Sequence, residues 1–172
     1  MGRKLVKPSF SYAAQLCEMR ERLLKENSRF PGCGHLERYS DISEWLCEIE
    51  KEENARQEEI FLYVSGDRLL GMIEIRKTLN AYLYNYGGQI GYTVHPEERR
   101  KGYGSEMLGK ILPCCRALGF KEVLVTCVDF NTASEKIIRK NGGVYQDTRD
   151  FKEGGVSLKR FLIDTGEEKK SL

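Results

Sequence analysis

The strongest chemical signal in the sequence is a basic, glycine-containing segment that follows a short apolar run at 90–94. The segment consists of Arg99, Arg100, Lys101, Gly102, Tyr103, Gly104 and Ser105. A helical pattern begins at Tyr103, and the first backbone N–H groups of a helix lack internal partners and lie at the positive end of its dipole. Gly102 and Gly104 permit a tight turn and leave no Cβ in the way of an approaching phosphate. The segment is therefore predicted to bind a pyrophosphate group.

Three phosphate-binding patterns can be compared with this segment. The Walker pattern, G-x-x-x-x-G-K-[ST], does not occur in the chain, and the dinucleotide pattern G-x-G-x-x-G fails because Met107 occupies its third glycine position. The pattern [Q/R]-x-x-G-x-[G/A] fits from Arg99 to Gly104, directly after a predicted strand. A basic turn whose glycines serve only its geometry is the structural alternative.

The pattern from Arg99 to Gly104 resembles the coenzyme A loop of the GNAT N-acetyltransferase superfamily. A second segment agrees, because the apolar strand at 123–128 and N-T-A-S-E-K-I-I-R-K-N-G-G at 131–143 are similar to that superfamily's next block, N-x-x-[AS]-x-x-[LVI]-Y-x-[KR]-x-G-F. The matching residues are Asn131, Ser134, Ile137, Lys140 and Gly142. The resemblance covers roughly residues 58–163 and extends to a branch of predicted bacterial acetyltransferases whose acceptors are poorly defined.

The resemblance implies an α/β (α+β) fold with a central mixed, mostly antiparallel sheet of about six to seven strands and about four flanking helices. We expect residues 1–172 to form a single domain. Within it, residues 1–57 would supply a first strand and two helices that wall the acceptor side. Residues 58–163 would form the coenzyme A-binding core and the C-terminal strands, and residues 164–172 a polar tail.

The resemblance also implies an acetyl-CoA-dependent N-acetyltransferase. The acetyl group would pass to a primary amine, on a small molecule or a peptide, by direct attack within a ternary complex. The backbone of 92–94 would pair with pantetheine and polarise the thioester carbonyl. The residues implied to contact the coenzyme are Tyr92, Thr93, Val94, Arg99, Arg100, Lys101, Gly102, Tyr103, Gly104, Ser105, Asn131, Ser134 and Ile138.

Two positions depart from the superfamily's pattern. The tyrosine of the last helix, which gives a proton to the departing thiolate, corresponds to Ile138, whose aliphatic side chain cannot donate one. The strand glutamate that serves as the base in some members falls near Gly88, where no carboxylate stands. These departures keep a second function open, that of a coenzyme A-binding module or sensor with little or no catalytic activity.

The sequence does not identify the catalytic residues, but three side chains are candidates for the base: Glu74, Tyr92 and Asp129. Glu74 is a carboxylate inside the apolar run L-L-G-M-I-E-I-R, although it could face solvent or pair with Arg76. Tyr92 is as easily a core residue. Asp129 is as easily part of the turn before Asn131.

Composition narrows the range of function classes. The 172 residues carry a formal net charge of +2, which is too small to indicate a nucleic-acid partner. No apolar run approaches the length of a membrane span, and no signal-type apolar stretch follows Met1. The six cysteines form no C-x-x-C pair and have no ligand-like spacing to the two histidines, so no metal site is predicted. We expect a cytoplasmic protein that is a monomer or a homodimer.

Periodicity and turn residues predict the elements of the N-terminal half. They are strands at 4–7, 59–64 and 68–78, a helix from Ser9 to about Asn27, and a second helix that begins at Asp41. Ser9 and Asp41 are predicted N-caps, and Glu44 is the expected partner of Asp41 in a capping box. The tyrosine-rich connection at 79–88 is either a half-exposed strand face or the lining of a substrate entrance.

The C-terminal half is predicted in the same way. Its elements are strands at 90–94, 122–128, 144–150 and 156–163 and helices at 103–118 and 132–141. The strand at 122–128 is almost continuously apolar, which is typical of a strand covered on both faces. Asn131 is the predicted cap of the last helix, and Pro113 is expected to kink the helix before it. His95 precedes Pro96 in a turn and is expected at the surface.

Overall fold

Seven strands form one sheet in the computed structural model of the protein, which describes residues 2–26, 30–55 and 57–166. The strands are β1 (Arg3–Val6), β2 (Glu58–Ser65), β3 (Arg68–Arg76), β4 (Ile90–Val94), β5 (Glu122–Val128), β6 (Val144–Phe151) and β7 (Val156–Asp164). Their order across the sheet is β1-β2-β3-β4-β5-β7-β6. All neighbours are antiparallel except β4 and β5, which are parallel. The predicted mixed, mostly antiparallel sheet is confirmed.

Four α-helices of the described chain flank this sheet, as predicted. They are α1 (Ala13–Glu26), α2 (Ile42–Asn54), α3 (Tyr103–Ala117) and α4 (Thr132–Lys140). One buried cluster joins α1 and α2 to one face of the sheet, and a second cluster joins α3 and α4 to the other face. The two helix pairs therefore lie on opposite faces, hereafter the α1/α2 face and the α3/α4 face.

Alternation along β2 shows how the sequence builds both clusters. Ile60, Leu62 and Val64 belong to the cluster on the α1/α2 face, whereas Phe61 and Tyr63 contact the cluster on the α3/α4 face. Successive side chains of a strand point to opposite faces, so one apolar run supplies both cores. A bulge between Tyr63 and Val64 shifts the register with β3.

Two of the three predicted N-cap residues form a capping hydrogen bond. The Asp41 side chain accepts a hydrogen bond from the Ser43 backbone N–H at 2.7 Å, and the Asn131 side chain accepts one from the Ser134 N–H at 3.0 Å. Ser9 makes no such bond, because the 3₁₀ turn Phe10–Tyr12 separates it from α1. The predicted end of the first helix at Asn27 and most of the predicted polar tail, 167–172, lie outside the described residues.

The tyrosine-rich connection is a π-helical turn, Leu83–Gly87, and not a strand. Carbonyl groups at the end of this connection accept hydrogen bonds from residues that are far away in the sequence. Arg76 Nη1 donates to the carbonyls of Gly87 and Gly88, both at 3.1 Å. The Thr126 hydroxyl donates to the Tyr86 carbonyl at 2.9 Å. The rings of the segment pack with Phe151 of β6 instead of alternating across a sheet. The strand interpretation is therefore wrong.

The boundaries of the remaining elements agree with the prediction to within a few residues. The strand at 122–128 has the predicted bounds and is buried over most of its length, and α3 continues past Pro113 to Ala117. Within the described ranges, no helix is long and apolar enough to cross a membrane. The same residues contain no group of three or more potential metal-ligating side chains.

Candidate active site

The two parallel strands at the centre of the sheet separate toward their carboxyl ends. Within the described chain, β4 and β5 share a single registered pair, Ile90 with Val125, and one further bridge joins Gly88 to Val125. In contrast, β4 keeps five registered pairs with β3 on its other side. The backbone of 91–94 therefore borders a gap where a neighbouring strand would normally lie, and an extended chain can occupy such an edge by adding itself as a strand.

The segment that follows β4 turns into the N-terminus of α3 through two left-handed residues. Arg100 has φ +62° and Gly102, the N-cap of α3, has φ +84°. A Cβ placed on Gly102 would have no atom within 4 Å, so the space in front of this backbone is open. Open space before the free N–H groups of a helix N-terminus fits a phosphate group.

Gly104 has a different role from Gly102. A Cβ on Gly104 would lie 2.7 Å from Ile137 Cδ1 and 3.3 Å from Val94 Cγ2. The missing side chain at Gly104 therefore allows α3 to approach α4 and β4 closely. Its substitution is expected to disturb packing, and only Gly102 tests the open cradle directly.

The three basic residues of the loop differ in their surroundings. Arg99 Nη2 lies 2.8 Å from Glu26 Oε2 of α1, and Lys101 Nζ lies 2.9 Å from Glu98 Oε2. Arg100 is exposed and forms no ion pair within the described part of the chain. Two of the three predicted phosphate-binding cations are thus already paired with carboxylates.

The site thus combines a gap between two strands with an open helix N-terminus. Comparison of the sequence with known families shows where this arrangement belongs. The family model of the acetyltransferase (GNAT) domain matches residues 7–144. The chain belongs to the GNAT acetyltransferase family. Membership of this family supports an acetyl-CoA-dependent acyltransferase, and the binding of a pyrophosphate group by residues 99–105 stays a prediction.

Solved structures with the same fold agree with this assignment. RimJ from Mycobacterium smegmatis in complex with CoA-disulfide has a TM-score of 0.77 at 16% sequence identity, over 98% of this chain and 85% of that one. YncA, a putative acetyltransferase from Salmonella typhimurium with acetyl-CoA, has a TM-score of 0.69 at 13% identity, over 98% and 97%. Dodecameric spermidine N-acetyltransferase from Vibrio cholerae has a TM-score of 0.69 at 16% identity, over 95% and 94%. No curated protein matches the sequence.

Tyr92 and Ser134 connect β4 to α4 across the strand gap. The Tyr92 hydroxyl lies 2.7 Å from Ser134 Oγ, and burial raises the pKa of Tyr92 to about 12. The phenol is therefore protonated at neutral pH. Asn131 and Ser134, both matched to the GNAT block, are joined by the cap bond described above, and Asn131 is exposed.

Ile138, expected beside the coenzyme sulfur, lies in the core. Its side chain has no exposed surface and packs in the cluster on the α3/α4 face. It is the neighbouring Ile137 that is partly buried and approaches Gly104. A fully enclosed side chain cannot contact a ligand without rearrangement of the core, so the geometry does not favour Ile138 as a coenzyme-contacting residue.

Glu74 lies on the α1/α2 face and is 3% exposed. Its Oε1 pairs with Arg76, and its Oε2 accepts a hydrogen bond from the Gly34 backbone N–H at 2.8 Å. The pairing with Arg76 is one of the three interpretations that the sequence leaves open, and a second, exposure to solvent, is excluded. Both oxygens are engaged, so Glu74 is poorly placed to remove a proton from a substrate.

The loop between α1 and α2 lies directly on β4 at this point. A Cβ on Gly32 would fall 2.3 Å from both the Cα and the N of Tyr92. The Thr93 hydroxyl donates a hydrogen bond to the Pro31 carbonyl. The side chain of Thr93 is thereby covered, and only its backbone remains for contact with a coenzyme.

Asp129 is the remaining candidate for the base, and His95 is the turn residue that the sequence predicted at the surface. Asp129 is exposed in the turn before Asn131, in agreement with its structural interpretation. His95 is only 6% exposed, so the predicted surface position is wrong. Its N–H donates to the Leu70 carbonyl at 2.9 Å, which extends the pairing with β3 beyond Val94, and burial lowers the pKa of its imidazole.

Glu58 is a candidate that the sequence interpretation missed. It begins β2, stands opposite Arg76 in the register of β2 and β3, and is half-buried. Burial and the nearby charge of Glu74 raise the pKa of Glu58 to about 7. Glu58 is two residues before Ile60 in the same strand, so its side chain lies on the α1/α2 face. This alternation is visible in the sequence and could have identified Glu58 as a candidate. Among the described residues, Glu58 forms no ion pair or side-chain hydrogen bond.

Proposed function

We propose that the protein is an N-acetyltransferase that moves an acetyl group from acetyl-CoA to a primary amine by direct attack in a ternary complex. The observation that carries the proposal is the gap between β4 and β5 beside the open N-terminus of α3. The gap supplies an unpaired strand edge for an extended arm, and the helix N-terminus supplies N–H donors for a pyrophosphate. Membership of the GNAT family supports the same reading.

The proposed coenzyme site divides into three parts. The backbone of 92–94 takes the pantetheine arm, and the N–H groups at the start of α3, from Gly102 to Ser105, take the pyrophosphate. Arg100 is the cation placed to contact phosphate without first breaking an ion pair. Ser134 of α4 contacts Tyr92 of β4, and Asn131 caps the same helix.

Apart from proton transfer, the proposed reaction requires the protein to polarise the thioester carbonyl, to exclude water and to position the acceptor. Bound acetyl-CoA supplies an acetyl thioester that an amine can attack. A backbone N–H of β4 polarises the thioester carbonyl, as oxyanion donors do. The loop at Gly32 covers one face of β4 and excludes water from it, and the acceptor is proposed to bind beside this loop, where its positioning supplies much of the rate enhancement.

Proton transfer requires a base and a donor. An amine with a pKa near 10 is mostly protonated at neutral pH, so a proton has to leave before attack. Glu58 is the proposed base, because its pKa of about 7 leaves it half ionised near neutral pH and its side chain lies on the α1/α2 face. Since β3 separates it from β4, the proton would reach Glu58 through a bridging water. The protonated Tyr92 hydroxyl is the proposed hydrogen-bond donor to the departing thiolate, in place of the tyrosine that Ile138 replaces.

An acceptor screen tests the proposal. Steady-state release of free thiol from acetyl-CoA would be measured with amines, polyamines, amino acids, aminoglycosides and peptides. Spermidine belongs in the panel because a structural neighbour is a spermidine N-acetyltransferase. Thiol release that depends on an amine, with mass increase on its nitrogen, is the expected result. Binding of acetyl-CoA without turnover on any acceptor would support the sensor function instead.

Gly102→Val is expected to raise the dissociation constant for desulfo-CoA by about tenfold or more, because the branched side chain would fill the open cradle and strain the left-handed backbone. Isothermal titration calorimetry measures the change. Gly119→Val is the matched control, since Gly119 also has a positive φ and open surroundings but lies at the other end of α3. Equal dissociation constants for the two variants would contradict the cradle.

The acceptor kcat/KM is expected to rise with pH through about 7, the value to which the pKa of Glu58 is raised. The group has to be ionised to accept a proton, so activity is lost as the pH falls below this value. In Glu58→Gln this limb of the pH profile is expected to disappear. Glu59→Gln is the control, because Glu59 lies on the opposite face and its pKa is lowered by Lys77 and Lys7 despite partial burial. A limb that survives in Glu58→Gln would remove Glu58 from the mechanism.

A further inference from the structure

Glu98 is a buried carboxylate in the short connection between β4 and the coenzyme loop. It ends the 3₁₀ turn Pro96–Glu98 and is 3% exposed. Its Oε2 lies 2.9 Å from Lys101 Nζ, and its Oε1 pairs with Arg68 Nη2. Its backbone N–H donates to the His95 carbonyl at 2.8 Å. One buried side chain therefore joins the start of β3 to the coenzyme loop.

The charge on Glu98 is maintained by its two partners. Burial alone raises the pKa of Glu98, but the hydrogen bond from Lys101 and the charge of Arg68 outweigh it, and the pKa lies below its ordinary value. Oε2 accepts a hydrogen bond from Lys101, whereas Oε1 forms an ion pair with Arg68 but no hydrogen bond within the described chain. A buried, ionised carboxylate held in this way keeps Lys101 in a defined position, because leaving the charge without that partner is costly.

The loop needs such a restraint because its backbone is strained. Arg100 adopts φ +62°, a left-handed conformation that is unfavourable for a residue with a Cβ, and Gly102 follows at φ +84°. Lys101 is the residue between them, and Glu98 holds its side chain. The tether thus acts on the middle of the strained segment.

We propose that Glu98 is a positioning residue for coenzyme binding: with Arg68 it holds Lys101 so that the loop keeps its two left-handed residues, and the N–H groups of α3 stay accessible, before coenzyme arrives. This inference rests on the proposed function. Lys101 then acts as a tether and not as a phosphate ligand, and Arg100 is the loop's cation for phosphate.

Glu98→Gln tests the role by separating binding from turnover. Desulfo-CoA affinity is measured by calorimetry, and KM for acetyl-CoA and kcat by thiol release. We expect the dissociation constant and KM to rise together by about tenfold, with kcat at saturating acetyl-CoA within about twofold of wild type, since Glu98 contacts no reacting atom. Glu97→Gln is the matched control: this neighbour is exposed and pairs with Arg22 at the surface, so its values should stay near wild type.

A double-mutant cycle tests the tether itself. Lys101→Met alone should weaken desulfo-CoA binding, but in the Glu98→Gln background it should add little, because the two residues act as one unit. Fully additive effects would make Lys101 an independent phosphate ligand and overturn the proposal. If Glu98→Gln does not fold, Arg68→Met tests the anchor of Glu98 on β3 alone: the dissociation constant for desulfo-CoA should rise, and an unchanged value in folded Arg68→Met would overturn the positioning role.

The outcomes distinguish this inference from the proposed function. Failure of the wild-type protein to bind desulfo-CoA would overturn both. Wild-type binding with an unchanged dissociation constant in folded Glu98→Gln would overturn the positioning role alone. A fall in kcat without a change in KM for acetyl-CoA would also overturn it, because the loop would then bind normally without its tether.

Discussion

Gly32→Ala is expected to lower the free energy of unfolding by about 2 to 5 kcal/mol, from overpacking and a left-handed φ together, and to reduce acetyl transfer severely. The new Cβ would lie 2.3 Å from the Cα and N of Tyr92 and 2.4 Å from the carbonyl carbon of Gly91. These are backbone atoms of a central strand and cannot yield, so the loop between α1 and α2 has to move away from β4. Urea unfolding and acceptor kcat/KM measure the two effects.

The clash can be separated from the backbone strain. Gly32 has φ +77°, whereas Gly119 has φ +91° and no atom within 4 Å of the position that a Cβ would occupy. Gly119→Ala therefore carries the strain without the clash. A loss of stability in Gly32→Ala no larger than that in Gly119→Ala would show that the loop does not press on β4.

Glu74→Ala is expected to destabilise the protein by about 3 to 5 kcal/mol, because removal of one member of a buried ion pair leaves an uncompensated charge. Arg76 would lose its carboxylate partner and keep only its hydrogen bonds to backbone carbonyls, and the Gly34 N–H would lose its acceptor. Chemical denaturation checks the change. Glu48→Ala, which breaks an exposed pair with Lys51, should cost no more than about 1 kcal/mol.

The conservative variant Glu74→Gln separates a structural role from a catalytic one. The charge of Glu74 is one cause of the raised pKa of Glu58, after burial, so its removal should move the limb of the pH profile from about 7 toward lower pH. The limb itself should persist. Disappearance of the limb in folded Glu74→Gln would instead identify Glu74 as the base, one of the candidates that the sequence indicates.

The central part of the fold was predictable because its signals are local. The strands at 90–94 and 122–128 are apolar runs bounded by turn residues, and Asn131 has the side chain and spacing of a helix cap. The glycine loop could likewise be found from its pattern. In each case the residues that determine the structure are neighbours in the chain.

The errors arose where distant residues decide the outcome. The π-helical turn at 83–87 depends on hydrogen bonds from Arg76 and Thr126, which no local pattern reveals. His95 is buried because pairing with Leu70 continues past the end of β4. Such contacts override local propensity and cannot be read from a single segment.

The sequence indicates where the proposed site lies, but it does not specify the roles of the side chains there. The pattern placed Ile138 beside the coenzyme, but the rotation of α4 against the sheet puts it in the core and Ile137 nearer the loop. The raised pKa of Glu58 depends on burial and on Glu74, which is sixteen positions away in the chain. Both depend on packing between elements, which spacing alone does not specify.

The single registered pair between β4 and β5 also has a mechanical consequence. Backbone hydrogen bonding makes β1–β4 and β5–β7 two nearly separate sheets, joined by a narrow seam at Ile90 and Val125. Helix α3 packs on β3 and β4 on one side of that seam, and the buried cluster that contains its Met107 and Ile111 continues to β5 on the other side. The N-terminus of the same helix is the proposed site for the pyrophosphate. A ligand bound between β4 and β5 and at the N-terminus of α3 would therefore add contacts between the two half-sheets at the point where the fewest backbone hydrogen bonds join them.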